Sequence, residues 1–113
     1  MSELVFVEET PLRGRRQPVV AVTTIGREGC DVLLPDPDVS RRHAVVLDTT
    51  SGPALHDLDS TNGTFVNGRR IRDAHRLRAG DVVQFGNTIW HVVPAEGDGR
   101  DGARAVGVSA GAR

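Results

Sequence analysis

Apolar residues along this chain come in short runs. "LVFV", "PVVAV", "DVLL", "AVVL", "TFV", "DVVQF" and "TIWHVV" follow one another closely, rich in Val and separated by Gly, Pro, Asn and Asp. Nowhere are apolar residues sustained at helical spacing over three turns, so the pattern predicts many short strands in a sandwich or barrel. Asn67-Gly68 in "VNGRRI" separates two strand-like segments and signals a hairpin, because both residues tolerate positive φ. Gly86-Asn87 in "QFGNTIW" signals a second hairpin. In "TIWHVV", Trp90 and Val92 share one face, and His91 marks the other as wetter.

The pattern stops at Pro94. The remainder, "AEGDGRDGARAVGVSAGAR", is rich in Gly, Ala and charge, with only Val106 and Val108 as larger apolar residues. Such a segment cannot bury enough surface to offset its ordering entropy. The reading is one domain over residues 1–94 and a disordered Gly/Ala/Arg-rich tail over residues 95–113. A chain of 113 residues is long enough to bury a core. No internal repeat is apparent.

The formal net charge of -1 selects no partner. All 14 basic residues are Arg, which reads as codon bias in a GC-rich genome. It still means that every cation can offer a planar fork to phosphate. The arginines of "RGRR" and "RRIRDAHRLR" are interrupted by acids and lack interleaved aromatic residues, so no nucleic-acid site is expected. They read as solvated loops that help attract acidic or phosphorylated partners. The single cysteine, Cys30, excludes an internal disulfide and reads as a small core residue in a reducing compartment. The N-terminus lacks the basic and apolar regions of a signal peptide, and the apolar runs are too short to span a bilayer. A cytoplasmic protein with no membrane partner is expected.

Three polar clusters lie between the strands: "TIGRE", "DVSRRHAVV" and "HDLDSTNGTFVNG". Loops of an antiparallel sandwich gather at its two ends, so three clusters at one end would form a shallow polar site on a rigid base. Taken alone, Ser40 and His43 suggest either a nucleophile with its base or, with the adjacent arginines, an anion site. "DSTNG" alone is an Asx-type turn. A hydrolase reading lacks a Gly-x-Ser-x-Gly elbow and an oxyanion loop. A calcium loop counted from Asp57 would need Gly at position six and Glu at position twelve, where Asn62 and Gly68 stand. No His/Cys cluster has zinc spacing, and no Gly-rich loop leads into a helix. No metal, cofactor or catalytic residue is expected.

Together, "IGRE…SRRH…DSTNGTFVNG" resembles the forkhead-associated (FHA) domain, a phosphothreonine-binding β-sandwich. "CDVLLPDPDVSRRHA" and "LRAGDVVQFG" extend the resemblance to about Leu4–Pro94. It implies an all-β FHA-like sandwich of about ten to eleven short, mostly antiparallel strands. By this resemblance Arg27 holds the phosphopeptide near its phosphate. Ser40 binds a phosphate oxygen, with Arg41 beside it and Thr61 on the same side, while Asn62 holds the peptide main chain. His43, Gly26 and Gly63 support the loops. Arg42 is left to solvent.

The chemistry of those residues agrees with the resemblance. Phosphothreonine carries about −1.5 to −2 charges and three acceptor oxygens, which suit Arg forks and hydroxyl donors. The expected function is phosphothreonine-peptide binding that recruits phosphorylated partners of a Ser/Thr protein kinase. The alternative is a constitutive scaffold on the same fold with a vestigial or self-occupied site. Thr10, placed in the first inter-strand loop, is a candidate internal ligand on a short tether.

Overall fold

The computed structural model describes residues 3–95. Eleven strands form two sheets, and no helix occurs among the described residues. β1 (Leu4–Thr10), β2 (Arg16–Pro18), β7 (Thr64–Val66), β8 (Arg69–Arg70), β10 (Val82–Phe85) and β11 (Thr88–Pro94) form one sheet, in the order β2-β1-β11-β10-β7-β8. The other holds β3 (Thr23–Gly26), β4 (Val32–Leu33), β5 (Ala44–Thr49), β6 (Gly52–Asp57) and β9 (His75–Arg76), in the order β4-β3-β5-β6-β9. Among the described strands only β3 and β4 pair in parallel.

The alternation read from the sequence builds the core. Along β11, Thr88, Trp90 and Val92 are buried and the residues between them half-buried. Trp90 meets Phe6 at 4.9 Å between ring centroids and Phe85 at 6.3 Å. Ile25, Val46 and Leu55 close the core from the second sheet, with Leu34 just beyond β4. The two predicted hairpins form. Asn67 and Gly68 both take positive φ between β7 and β8. Between β10 and β11 only Gly86 does, as expected when glycine takes the first central position of the turn.

Three expectations need correction. "PVVAV" is not a strand beyond Pro18: Val19 is buried, but Val20 and Val22 are exposed because the chain leaves one sheet here for the other. Cys30 is half-buried outside the core, with its thiol directed at the carbonyls of Glu28 and Arg41. Thr10 lies at the end of β1, opposite Ile89, not in a free loop. Ala95 remains tied to the sandwich through its N–H to the Glu3 carbonyl, 2.9 Å, while the rest of the predicted tail lies outside the described residues. Among the described residues no helix is long and apolar enough to cross a membrane.

Candidate functional site

The β3–β4, β4–β5 and β6–β7 connections meet at one end of the sandwich, cross-linked mainly through their main chains. The Arg27 N–H donates to the Ser40 carbonyl at 3.1 Å, and the His43 N–H to the Ile25 carbonyl at 2.9 Å. Gly26 makes this approach possible: a Cβ at that position would lie 2.1 Å from the Arg41 carbonyl oxygen. No side chain fits between β3 and the loop that carries Ser40 and Arg41.

His43 joins the second loop to the third. Its Nδ1 accepts the Ser40 N–H at 3.0 Å, which leaves Nε2 to donate to the Gly63 carbonyl at 2.8 Å. The ring is fully buried and stands edge-on to Phe85, 5.5 Å between centroids. Both ring nitrogens are therefore committed to main-chain groups. The imidazole is not placed to take a proton from the Ser40 hydroxyl, so the nucleophile reading has no geometry behind it.

The β6–β7 loop is folded around Asp57. Its carboxylate accepts the Ser60 N–H, the Ser60 hydroxyl at 2.5 Å and the Thr64 hydroxyl at 2.7 Å. Burial pushes the Asp57 carboxyl up, but these hydrogen bonds outweigh it and hold the group below the usual carboxylate range. Ser60 Oγ in turn accepts the Gly63 N–H at 3.0 Å. Gly63 takes φ +91°, a left-handed conformation that glycine adopts at no steric cost.

The side chains that face outward are partly pre-set by this frame. Ser40 Oγ accepts the Thr61 N–H at 3.0 Å, and its own proton remains available to donate. The Arg27 Nε donates to the Val39 carbonyl at 2.9 Å, which aims the guanidinium and leaves its terminal N–H groups exposed. Asn62 Nδ2 donates to the Asp38 carbonyl at 2.8 Å, leaving its amide oxygen free to accept. Thr61 is exposed beside it. Arg41 joins the group through its carbonyl, but its Nε lies 3.8 Å from the exposed Glu28 carboxylate, so its head is drawn toward the β3–β4 loop.

Sequence reasoning missed several supporting groups. Asp36 carries the β10–β11 turn onto the site: it accepts the Asn87 N–H at 2.7 Å, and Asn87 also donates to Asp38 at 2.8 Å. Burial pushes the Asp36 carboxyl up, yet the N–H groups of Asp38 and Asn87 hold it below its usual value. Asp57 and Ser60 sit within the "DLDSTNG" turn signal, but nothing in that signal distinguishes brace from ligand contact. No sequence signal marks Arg70, which covers Gly63.

The family model for the FHA domain matches residues 23–86. The chain is 39% identical to the oxoglutarate dehydrogenase inhibitor of Corynebacterium glutamicum over 102 residues, covering 84% of this chain and 68% of that protein. It is 42% identical to the transcriptional regulatory protein EmbR of Mycobacterium tuberculosis over 74 residues, covering 64% of this chain and 19% of EmbR. The structure of EmbR in complex with a low-affinity phosphopeptide superposes with a TM-score of 0.74 at 33% identity, over 82% of this chain and 24% of that one. A domain solved in a study of phosphothreonine-dependent FHA domain interactions superposes with a TM-score of 0.73 at 31% identity, over 81% of this chain and 96% of that one. The chain spans 10%, 6% and 19% of the length of three longer curated relatives it matches.

Proposed function

The chain belongs to the FHA domain family, and from that premise we propose that it is a phosphothreonine-peptide-binding module recruiting phosphorylated partners in Ser/Thr-kinase signalling. The binding unit is the stretch 1–94. The observation that carries the reading is the Ser40 hydroxyl. It is fixed as an acceptor by the Thr61 N–H, with its own proton free for a phosphate oxygen. Arg27 supplies charge from one side, its stem anchored on Val39. Arg41 supplies more once its exposed pair with Glu28 opens, which costs little because such pairs contribute about 0–1 kcal/mol. Thr61 adds a hydroxyl on the phosphate side, and the free oxygen of the Asn62 amide accepts an N–H from an extended peptide.

The module does no chemistry of its own. Ser40 and His43 lack the hydroxyl-to-imidazole contact that a nucleophile needs, since Nδ1 is taken by the Ser40 N–H. The unpaired Cys30 fits a reducing cytoplasm. The matched relatives support the ligand class: EmbR was solved with a phosphopeptide, and the second neighbour comes from work on phosphothreonine-dependent interactions.

The test begins with a phosphothreonine peptide library degenerate at the flanking positions. The selected peptide is then titrated calorimetrically in phosphorylated and unphosphorylated form. Phosphate-dependent binding that weakens with added salt is expected, because charge-assisted contacts at an open site are screened. Equal affinity of the two forms would favour the scaffold alternative.

A further inference from the structure

Arg70 stands outside the set of residues that the family resemblance assigns to the ligand, yet the fold brings it to the same loop. In the β7–β8 hairpin Phe65 lies opposite Arg70. From there the Arg70 side chain reaches back to Gly63, the residue just before β7. A Cβ on Gly63 would lie 2.7 Å from Arg70 Nε and 3.0 Å from Cζ. The guanidinium therefore lies across the main chain between Asn62 and Thr64, at the root of the proposed peptide contact. Arg70 is exposed, and among the described residues no carboxylate or carbonyl engages its N–H groups. Arg69 and Arg72 are exposed beside it, and Asp73 is the one acid in "RRIRDAHRLR".

We propose that Arg70 is a specificity-determining position that binds an anionic group, a carboxylate or a second phosphate, on a ligand residue flanking the phosphothreonine. The proposal rests on the phosphothreonine reading and adds the class of ligand. A guanidinium offers five donors in a planar fork matched to both anions. Its packing against Gly63 restrains the side chain before binding, so less freedom is lost when the ligand arrives. The surrounding arginines raise the local concentration of acidic segments. A purely structural role, in which Arg70 shields the His43–Gly63 hydrogen bond from water, needs only the side-chain stem and not its charge.

The full chain and its Arg70→Gln and Arg70→Glu variants would be screened against the same degenerate phosphothreonine library. Matched peptides would then carry Ala, Glu, Lys or phosphoserine at the selected flanking position, with anisotropy as the readout. The wild-type chain should prefer Glu and phosphoserine over Ala by about threefold to tenfold, the range of an exposed charge-assisted contact. A larger gain for phosphoserine than for Glu would identify a second phosphate as the better source. Arg70→Gln should lose the preference while binding the Ala peptide as the wild type does, and Arg70→Glu should turn toward Lys. Equal weakening of every peptide by Arg70→Gln, with a lowered melting temperature, would overturn the proposal in favour of the shielding role. Phosphate-dependent binding without any acidic preference would overturn it and leave the phosphothreonine reading standing. Absence of phosphate-dependent binding would remove both.

Discussion

Replacing His43 by Ala should destabilise the domain more than removing any side chain that faces the ligand. The ring is fully buried and makes two hydrogen bonds, to the Ser40 N–H and the Gly63 carbonyl. Alanine leaves both main-chain groups without that partner, at about 1–3 kcal/mol for each that water cannot reach. Gly63 is buried and Ser40 half-buried, so the first contributes nearer the top of that range and the second nearer the bottom. Loss of the edge-on contact with Phe85, and the cavity left behind, add about 1–3 kcal/mol. The sum is about 4–7 kcal/mol, against about 5–15 kcal/mol for a whole domain. For a domain of this size each kcal/mol shifts the melting temperature by about 4–8 °C, so a fall of at least about 15 °C is expected. Urea denaturation followed by fluorescence of Trp90 gives the free energy directly. A loss under about 1 kcal/mol with an unchanged slope would refute the view that this ring joins the loops.

Arg27→Ala and Ser40→Ala should each weaken phosphopeptide binding more than tenfold while changing stability by less than about 1 kcal/mol, because water can replace their contacts at the open site; unfolding of either variant would reverse the assignment of roles. Gly26→Ala should cost about 2–4 kcal/mol and abolish binding, since a Cβ 2.1 Å from the Arg41 carbonyl forces β3 or the Ser40 loop to move; an unchanged melting temperature would show that the loop yields freely. Acid should destabilise the domain through Asp36 and Asp57, whose folded carboxyls titrate below the ordinary value of 3.8. Their contribution is complete above that value and is lost as pH falls through the folded values, so Asp57→Asn should flatten the decline seen by thermal melts in acid. A phosphothreonine peptide should outcompete its phosphoserine counterpart by several-fold, about 1–2 kcal/mol from one buried methyl and a stiffer χ1; equal displacement would mean that the site reads charge alone.

Those expectations draw on features of unequal visibility in the sequence. The strands that alternate cleanly were legible: β11 buries Trp90 and Val92 and leaves His91 half-exposed, and the Asn67-Gly68 turn closes its hairpin. β8 and β9 have no apolar run because each is a two-residue edge strand, stabilised by pairing more than by burial. "PVVAV" misled because its apolar residues belong to a crossing between sheets, where only Val19 reaches the core. Glu8 shows a further limit of pattern reading. It alternates with Phe6 into the interior, where Arg15 at 2.7 Å and the Leu12 N–H satisfy its carboxylate, a pairing that depends on the path of the β1–β2 loop. The clusters around Arg27, Ser40 and Thr61 could be picked out as polar loops. That they meet, and that Arg70 folds back onto Gly63, depends on sheet order and register, which local pattern does not encode.

The division between bracing and presenting residues has a physical reason. An exposed loop loses conformational freedom when it grips a ligand, at about 1–2 kcal/mol per ordered residue, and a phosphate cluster drawn from three free loops would lose much of its affinity that way. Here the ordering is accomplished on folding by groups turned away from the ligand: His43 between Ser40 and Gly63, Asp57 within the β6–β7 loop, and Asp36 under the β10–β11 turn. These contacts are partly or fully buried, where hydrogen bonds are stronger and salt screens little. The presenting side chains then need only one anchor each: Arg27 on Val39, Asn62 on Asp38, and Ser40 through the Thr61 N–H. Substitutions of the bracing residues should therefore register mainly as lost stability, and those of the presenting residues as lost binding. Ser40 lies on the boundary, because its main chain serves the brace and its hydroxyl serves the ligand. Ser40→Ala removes the hydroxyl, with its exposed bond to the Thr61 N–H, and leaves the N–H bond to His43 in place, so it separates most of the two roles within one residue.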